Sequence, residues 1–294
     1  MHPRVKAFLL FLLYVVLSQG FGALFGWLIV VKLHAFDAND SAWRPAVFVW
    51  SEGIGILGAL LATVIVALVG RRPMSRLGYA RSGVLRQCAM GSLFGLVGVV
   101  LLVGAISALG GFTFGTISGA AYALPWLVAF LFVGVSEEMD FRAAPLMTLA
   151  EAIGFWPAAI LLSVLFAALH YFFKPMENVA DALSVGLLGL FMCFTVLRTG
   201  AIWFAIGFHA LFDFAAIFLF GAPNSGNKGV PVATKLLSGG YHGPAWLTGG
   251  PLGVEASWLV FPLIALFFIS FSLLYRPAAI RSAHPVQEHS GGTA

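Results

Sequence analysis

Charged residues are scarce in this chain. Asp, Glu, Lys and Arg make up 10% of its 294 residues, whereas 60% of the residues are hydrophobic and the mean hydropathy is +0.97. A soluble domain carries about a quarter charged residues. Since the polar side chains are too few to cover a water-facing surface, the composition excludes a soluble globular protein and indicates that lipid surrounds the chain.

Cysteine is scarce as well. The two cysteines, Cys88 and Cys193, both lie inside apolar segments, which argues against a disulfide framework or a cysteine-based zinc site and favours packing roles. A net charge of +4 could attract nucleic acid. The positive residues flank apolar runs, however, and this pattern is typical of membrane orientation. We therefore expect membrane lipids, and no nucleic acid, as partners.

Long apolar runs recur along the chain. Backbone groups find no water in a hydrocarbon core, and these runs are too long for barrel strands, so they predict helices. The first run is too long for a signal-peptide core and is interpreted as a retained span. The predicted fold is all-α, a polytopic membrane helix bundle of about eight transmembrane helices. The spans are approximately Ala7–Val31, Ala46–Val69, Val84–Leu109, Leu124–Ala150, Pro157–Phe173, Val179–Leu197, Ala201–Phe220 and Ala256–Tyr275.

The charge distribution predicts the orientation. With eight spans, ten of the 16 Lys and Arg residues share the side of the two termini, five lie on the other side, and Arg142 remains inside a span. By the positive-inside rule both termini are expected in the cytoplasm. Residues 1–123 form three N-terminal helices, 124–220 a core, and 221–294 an outer loop, the last span and a tail. Within the last part, Gly221–Gly253 is interpreted as a connector rather than a lid.

Three spans contain polar residues that lipid should exclude. The fourth span has Glu137, Glu138, Asp140 and Arg142 within one short stretch. The fifth span ends in His170, and the seventh contains His209 and Asp213. A charge at the membrane centre costs at least about 2.5 kcal/mol. Such groups are expected to face one another or a wet cavity.

Helical spacing predicts how these groups pair. Glu138 and Arg142 are separated by four residues with the acid first, which favours an ion pair, and this leaves Glu137 free to take a proton from water. Asp213 lies four residues after His209 and can fix the tautomer of its ring. Glu137, His170 and His209 fall at comparable depth, so the three can meet.

A structural role is the alternative for each of these sets alone, as a helix-to-helix hydrogen bond or a Glu–Arg clasp. Asp140 is expected to make only a polar packing contact, and Glu52 and Asp181 are expected at the outer interface. The remaining histidines are interpreted as background: His2, His34, His242, His284 and His289.

The ordered motifs resemble those of the CPBP intramembrane peptidases, which include the type II CAAX prenyl endopeptidases and bacteriocin-immunity relatives. The family pattern is Glu-Glu-x-x-x-Arg, then Phe-x-x-x-His, then His-x-x-x-Asn or Asp. It corresponds here to Glu137, Glu138 and Arg142, to Phe166 and His170, and to His209 and Asp213, over about Leu124 to Phe220.

The resemblance implies a hydrolase in a bacterial cytoplasmic membrane that acts on a protein or peptide substrate. It implies Glu137 as general base, His170 as a second group that activates water, His209 and Asp213 at the oxyanion side, and Arg142 as the partner of Glu138. Because Asp213 stands where other members have an amide, we expect it to orient His209, which then donates to the oxyanion.

The sequence leaves alternatives open for both the cofactor and the function. Glu137, His170 and His209 could supply a zinc site with one open position, but no His-Glu-x-x-His motif is present, and a metal-free reaction is favoured. The sequence also lacks rhomboid-type serine and Gly-x-Gly-Asp motifs. A non-enzymatic immunity or partner protein is the main alternative, and a proton-coupled transporter is disfavoured because no inverted repeat is evident.

Overall fold

The computed structural model describes residues 1–35, 43–174 and 176–275, and it confirms the all-α membrane bundle. In these ranges six helical stretches are long and apolar enough to cross a membrane, and two shorter apolar stretches, Trp203–Leu219 and Val260–Leu274, complete the set of eight. The helices are α1 Pro3–Gly26, α2 Pro45–Gly70, α3 Val84–Ala108, α4 Ala123–Phe141, α5 Ala144–Ile153, α6 Phe155–Phe173, α7 Val179–Thr199, α8 Trp203–Asp213, α9 Ala245–Thr248 and α10 Val260–Leu274.

Two of these helices widen at their C-terminal ends. A π-helical turn, Trp27–Lys32, extends α1, and another, Phe214–Leu219, extends α8 directly after Asp213. π-Helical segments are rare in proteins. Where they do occur, they often lie at functional sites.

The predicted fourth span, Leu124–Ala150, is not one continuous helix. It ends as α4 at Phe141, and α5 starts at Ala144 with Pro145 in its first turn. Proline has no N–H to donate to the carbonyl four residues earlier, and its ring would collide with that carbonyl. The break at residues 142–143 places Arg142 at the end of α4, where its side chain turns into the bundle.

Close helix packing occurs at small residues of α3. A Cβ atom on Gly91 or Gly95 of α3 would collide with backbone atoms of Phe204 or Phe208 on α8. The backbones of α3 and α8 therefore approach closely, as small residues allow inside membranes. This contact fixes α8, which carries His209, against the N-terminal helices.

The connections between helices sort to two ends of the bundle. At one end the Arg72 guanidinium pairs with Glu151 at 2.6 Å, and the Trp203 indole donates to the Ala80 carbonyl at 2.6 Å. At the opposite end a two-stranded antiparallel sheet joins β1 (Phe112–Thr113) to β2 (Gly240–Tyr241). We call this opposite end, which also carries the loop after α6 and the long connection after α8, the outer end.

The start of α1 and the end of α10 share the end opposite the outer end. The Lys6 ammonium donates to the Gly70 carbonyl at the end of α2, and the Tyr275 ring makes an edge-to-face contact with Phe204 at the start of α8. This arrangement agrees with an even number of spans. The division into 1–123, 124–220 and 221–294 stays a prediction, and His284 and His289 lie outside the described residues.

Candidate active site

A cavity of about 190 Å³ lies inside the bundle and is large enough for several water molecules. The four side chains predicted to be catalytic, Glu137, His170, His209 and Asp213, all line it. Its apolar wall is formed mainly by aromatic and aliphatic side chains of several helices, among them Phe130, Val133, Leu188, Met192 and Phe208. The polar groups are therefore shielded from lipid.

The predicted ion pair on α4 is present and fully buried. Arg142 Nη1 donates to Glu138 Oε1 at 3.1 Å, and the side chains are 1% and 0% exposed. The guanidinium carbon lies 4.3 Å from the ring centre of Phe166 and 5.4 Å from that of Phe141. Such cation–π contacts stabilise a cation that has left water. Phe166, which belongs to the motif, thus helps to hold the arginine.

His209 lies between three carboxylates. Its Nδ1 lies 2.9 Å from Glu138 Oε1, while its Nε2 lies 3.7 Å from Glu137 Oε2 and 3.5 Å from Asp213 Oδ2. Because Glu138 is an ionised partner of Arg142, Nδ1 carries the hydrogen and donates it. The sequence predicted Asp213 as the residue that orients this ring, yet the shortest contact comes from Glu138. Asp213 instead shares the Nε2 side of the ring with Glu137.

His170 is held by its own helix. Its Nδ1 lies 3.0 Å from the Phe166 carbonyl oxygen, and its ring packs on the Phe166 ring with a centroid distance of 4.4 Å. A carbonyl oxygen can only accept, so Nδ1 carries the hydrogen and the lone pair of Nε2 is free in the neutral ring. Phe166 therefore orients His170 on one side and Arg142 on the other.

Asp140 lies apart from these groups, as the spacing predicted. The Tyr14 hydroxyl of α1 lies 3.1 Å from Asp140 Oδ1 and 3.0 Å from the Met139 carbonyl. This aspartate thus ties α4 to α1.

His242 lies in the long outer connection, where its Nε2 is 2.9 Å from the Thr113 hydroxyl oxygen.

Two carboxylates predicted at the outer interface are placed differently. Glu52 of α2 lines the cavity and interacts with the Ser136 hydroxyl, and Asp181 is only 2% exposed in the first turn of α7. Protein thus covers both side chains more than an interfacial position predicts, while their depth in a membrane stays a prediction. The long connection after α8 packs over this end of the bundle, so residues near the span ends are covered by protein.

Further lining residues were not recognised from the sequence as parts of the site. Trp43, Lys174, Asn224, Gly226 and Glu255 surround the outer part of the cavity. The segment Gly221–Gly253, predicted as a connector, therefore also contributes to the cavity wall. An acid within an apolar run was a signal for Glu52, but sequence spacing offered none for Glu255, which reaches the cavity through tertiary folding.

The donors do not form a ready metal site. Among the residues that the structure describes, no group of three or more His, Cys, Asp and Glu side chains lies close enough to hold a metal ion. A three-ligand zinc site would need Glu137, His170 and His209 each about 2.0–2.2 Å from one point. The residues as placed do not fit the zinc site considered from the sequence.

The comparisons with known proteins bear on the same residues. Residues 118–215, one third of the chain, match the family model of the Rce1-like proteins, described as type II CAAX prenyl endopeptidase Rce1-like. No curated protein and no solved structure is similar enough to the chain to count as a match. The matched segment contains all seven motif residues, which confirms the resemblance inferred from the sequence. Over this third of the chain, the sequence is therefore similar to the Rce1-like type II CAAX prenyl endopeptidases, and this similarity supports a CPBP-type core.

Proposed function

We propose that this protein is an intramembrane endopeptidase that hydrolyses a peptide bond in a membrane-associated protein or peptide. The observation that carries the proposal is the shared cavity, in which a carboxylate and two imidazoles from three helices face the same enclosed space. The family supports a CAAX-type protease in general. We assign roles to the individual residues as part of this proposal.

Glu137 acts as the general base. Its side chain is 26% exposed within the cavity wall, and it is not the carboxylate that neutralises Arg142, so it can accept a proton from water. The water oxygen then attacks the substrate carbonyl carbon, and the π electrons of the carbonyl move onto its oxygen. A positioned base of this kind contributes about 10²–10⁴-fold to the rate.

His170 positions the attacking water. Because Nδ1–H is committed to the Phe166 carbonyl, the free lone pair on Nε2 accepts a hydrogen bond from the water. The ring is fixed by this bond and by stacking on Phe166, so the water is held without a cost in side-chain freedom at each turnover.

His209 stabilises the oxyanion. Glu138 receives its Nδ1–H at 2.9 Å, which turns Nε2 toward the cavity. In the imidazolium form both ring nitrogens carry hydrogen, so Nε2–H can donate to the tetrahedral intermediate. When the intermediate collapses, the C–N bond breaks and the proton held by Glu137 passes to the leaving amine.

The substrate enters from the outer end in this proposal. Trp43, Asn224 and Glu255 lie around the cavity on that side, and the positive-inside rule places both termini in the cytoplasm. The scissile bond would then reach the site from the non-cytoplasmic side of the membrane.

The test is cleavage by the purified protein in micelles, with a defined mixture of synthetic hydrophobic peptides as probe and mass spectrometry as readout. Glu137→Gln and His170→Ala should each reduce the rate at least about a hundredfold while the variants stay folded. Glu151→Gln, a change at the far end of the bundle, should keep wild-type activity. Cleavage at the wild-type rate by both site variants would refute the proposal.

A further inference from the structure

The cavity wall carries more acidic side chains than the family motifs account for. Four carboxylates line the cavity: Glu52 from α2, Glu137 from α4, Asp213 from α8 and Glu255 from the connection before α10. Lys174 is the one lysine, and there is no arginine, among the described lining residues. Acidic groups therefore outnumber permanent cations in the space where a substrate would lie.

Two of these carboxylates stand outside the matched family segment. Glu52 precedes it and Glu255 follows it, since the match covers residues 118–215. Neither is needed for the water activation assigned to Glu137 and His170. Their placement in the wall thus calls for a separate role.

The backbone at Glu255 is fixed. The residue lies in a single 3-10 turn, Val254–Ala256, whose two other residues are buried, and the Ser184 hydroxyl of α7 donates to the Glu255 carbonyl at 2.6 Å. The side chain therefore projects into the cavity from a rigid support. Burial raises the pKa of the Glu255 carboxyl above its ordinary value, so a cationic partner would stabilise its ionised form.

Lys174 does not cancel this acidic wall. It interacts electrostatically with Glu137, Asp213 and Glu255 at once, so its single charge is shared among several carboxylates. A substrate cation that enters the cavity would still meet an excess of negative charge. A cavity lined by one sign of charge concentrates ligands of the opposite sign.

We propose that Glu255, together with Glu52, selects substrates that carry a lysine or arginine close to the scissile bond. This inference rests on the proposed peptidase function and names a class of substrate for it. Glu52 and Glu255 act here as specificity determinants, while the bond-breaking steps remain with Glu137, His170 and His209.

The experiment compares cleavage-site profiles for one peptide mixture in which Lys, Arg, norleucine and Glu occur equally often at every position. For the wild-type protein, we expect Lys and Arg to be enriched about tenfold over norleucine at one position beside the cut, the effect of one charge-assisted contact. Glu255→Gln should remove most of the enrichment, and Glu52→Gln should reduce it. Glu255→Lys should shift the preference toward Glu.

The control is Glu151→Gln, which removes a carboxylate outside the cavity and should leave the enrichment unchanged. Cleavage without any preference for Lys or Arg, or a preference that survives both Glu255→Gln and Glu52→Gln, would overturn the inference and leave the peptidase function standing. Absence of cleavage above the level of Glu137→Gln would instead refute the peptidase function itself.

Discussion

Removing the charges of Glu138 and Arg142 together should destabilise the protein less than the sum of the two single changes. In Glu138→Gln the side chain keeps its shape and one acceptor oxygen, but Arg142, which is 1% exposed, loses the carboxylate that neutralises it. Breaking a buried ion pair from one side costs about 3–5 kcal/mol. Arg142→Met should cost a similar amount, since it leaves a buried carboxylate beside His209.

The double variant Glu138→Gln/Arg142→Met removes both charges. Its loss of stability should be at least about 2 kcal/mol smaller than the sum of the two single losses, because neither residue is then left uncompensated. The measurement is reversible unfolding in mixed micelles for the wild type and the three variants. Additive losses would refute the conclusion that the two charges depend on one another.

Activity separates the two roles of Glu138. If the negative charge of this carboxylate also stabilises the His209 imidazolium through the 2.9 Å contact, the double variant should remain nearly inactive even where its stability is partly restored. Activity that returns together with stability would show that Glu138 serves only to neutralise Arg142.

The remaining predictions concern packing around the site. A Cβ on Gly189 would lie 2.6 Å from Arg142 Nη2, so Gly189→Ala should displace the guanidinium, lower stability by about 1–3 kcal/mol and reduce cleavage; Gly104→Ala, with open space around it, is the matched control and should be neutral or stabilising. Tyr14→Phe removes the hydroxyl that contacts Asp140 and the Met139 carbonyl. It should cost about 1–3 kcal/mol in unfolding experiments with the cleavage rate per folded molecule unchanged; a selective loss of rate would place α1 in the mechanism.

Hydropathy alone predicted the bundle, because each span must satisfy its own backbone hydrogen bonds in lipid. Helical spacing likewise predicted the pair between Glu138 and Arg142, which depends only on local geometry. The break after Phe141 was missed although Pro145 is a sequence signal for it, because the span was bounded by hydropathy, which does not register a single proline.

Contacts between helices were harder to predict. Spacing assigned Asp213 to His209 since they are neighbours on one helix, whereas Glu138 makes the shorter contact from another helix. Glu52 and Asp181 were placed at the interface because depth was judged from span ends. That estimate could not include the outer connection that folds back and brings Glu255 to the cavity.

The most direct test of the account is the source of the oxygen atom in the new carboxylate. Cleavage of the peptide mixture in H₂¹⁸O under single-turnover conditions should introduce one ¹⁸O atom into each new C-terminus with the wild-type protein. Folded Glu137→Gln should give at most about one hundredth of that labelled product. Labelled product at the wild-type rate from Glu137→Gln would contradict the assignment of Glu137 as the base that activates water in the shared cavity.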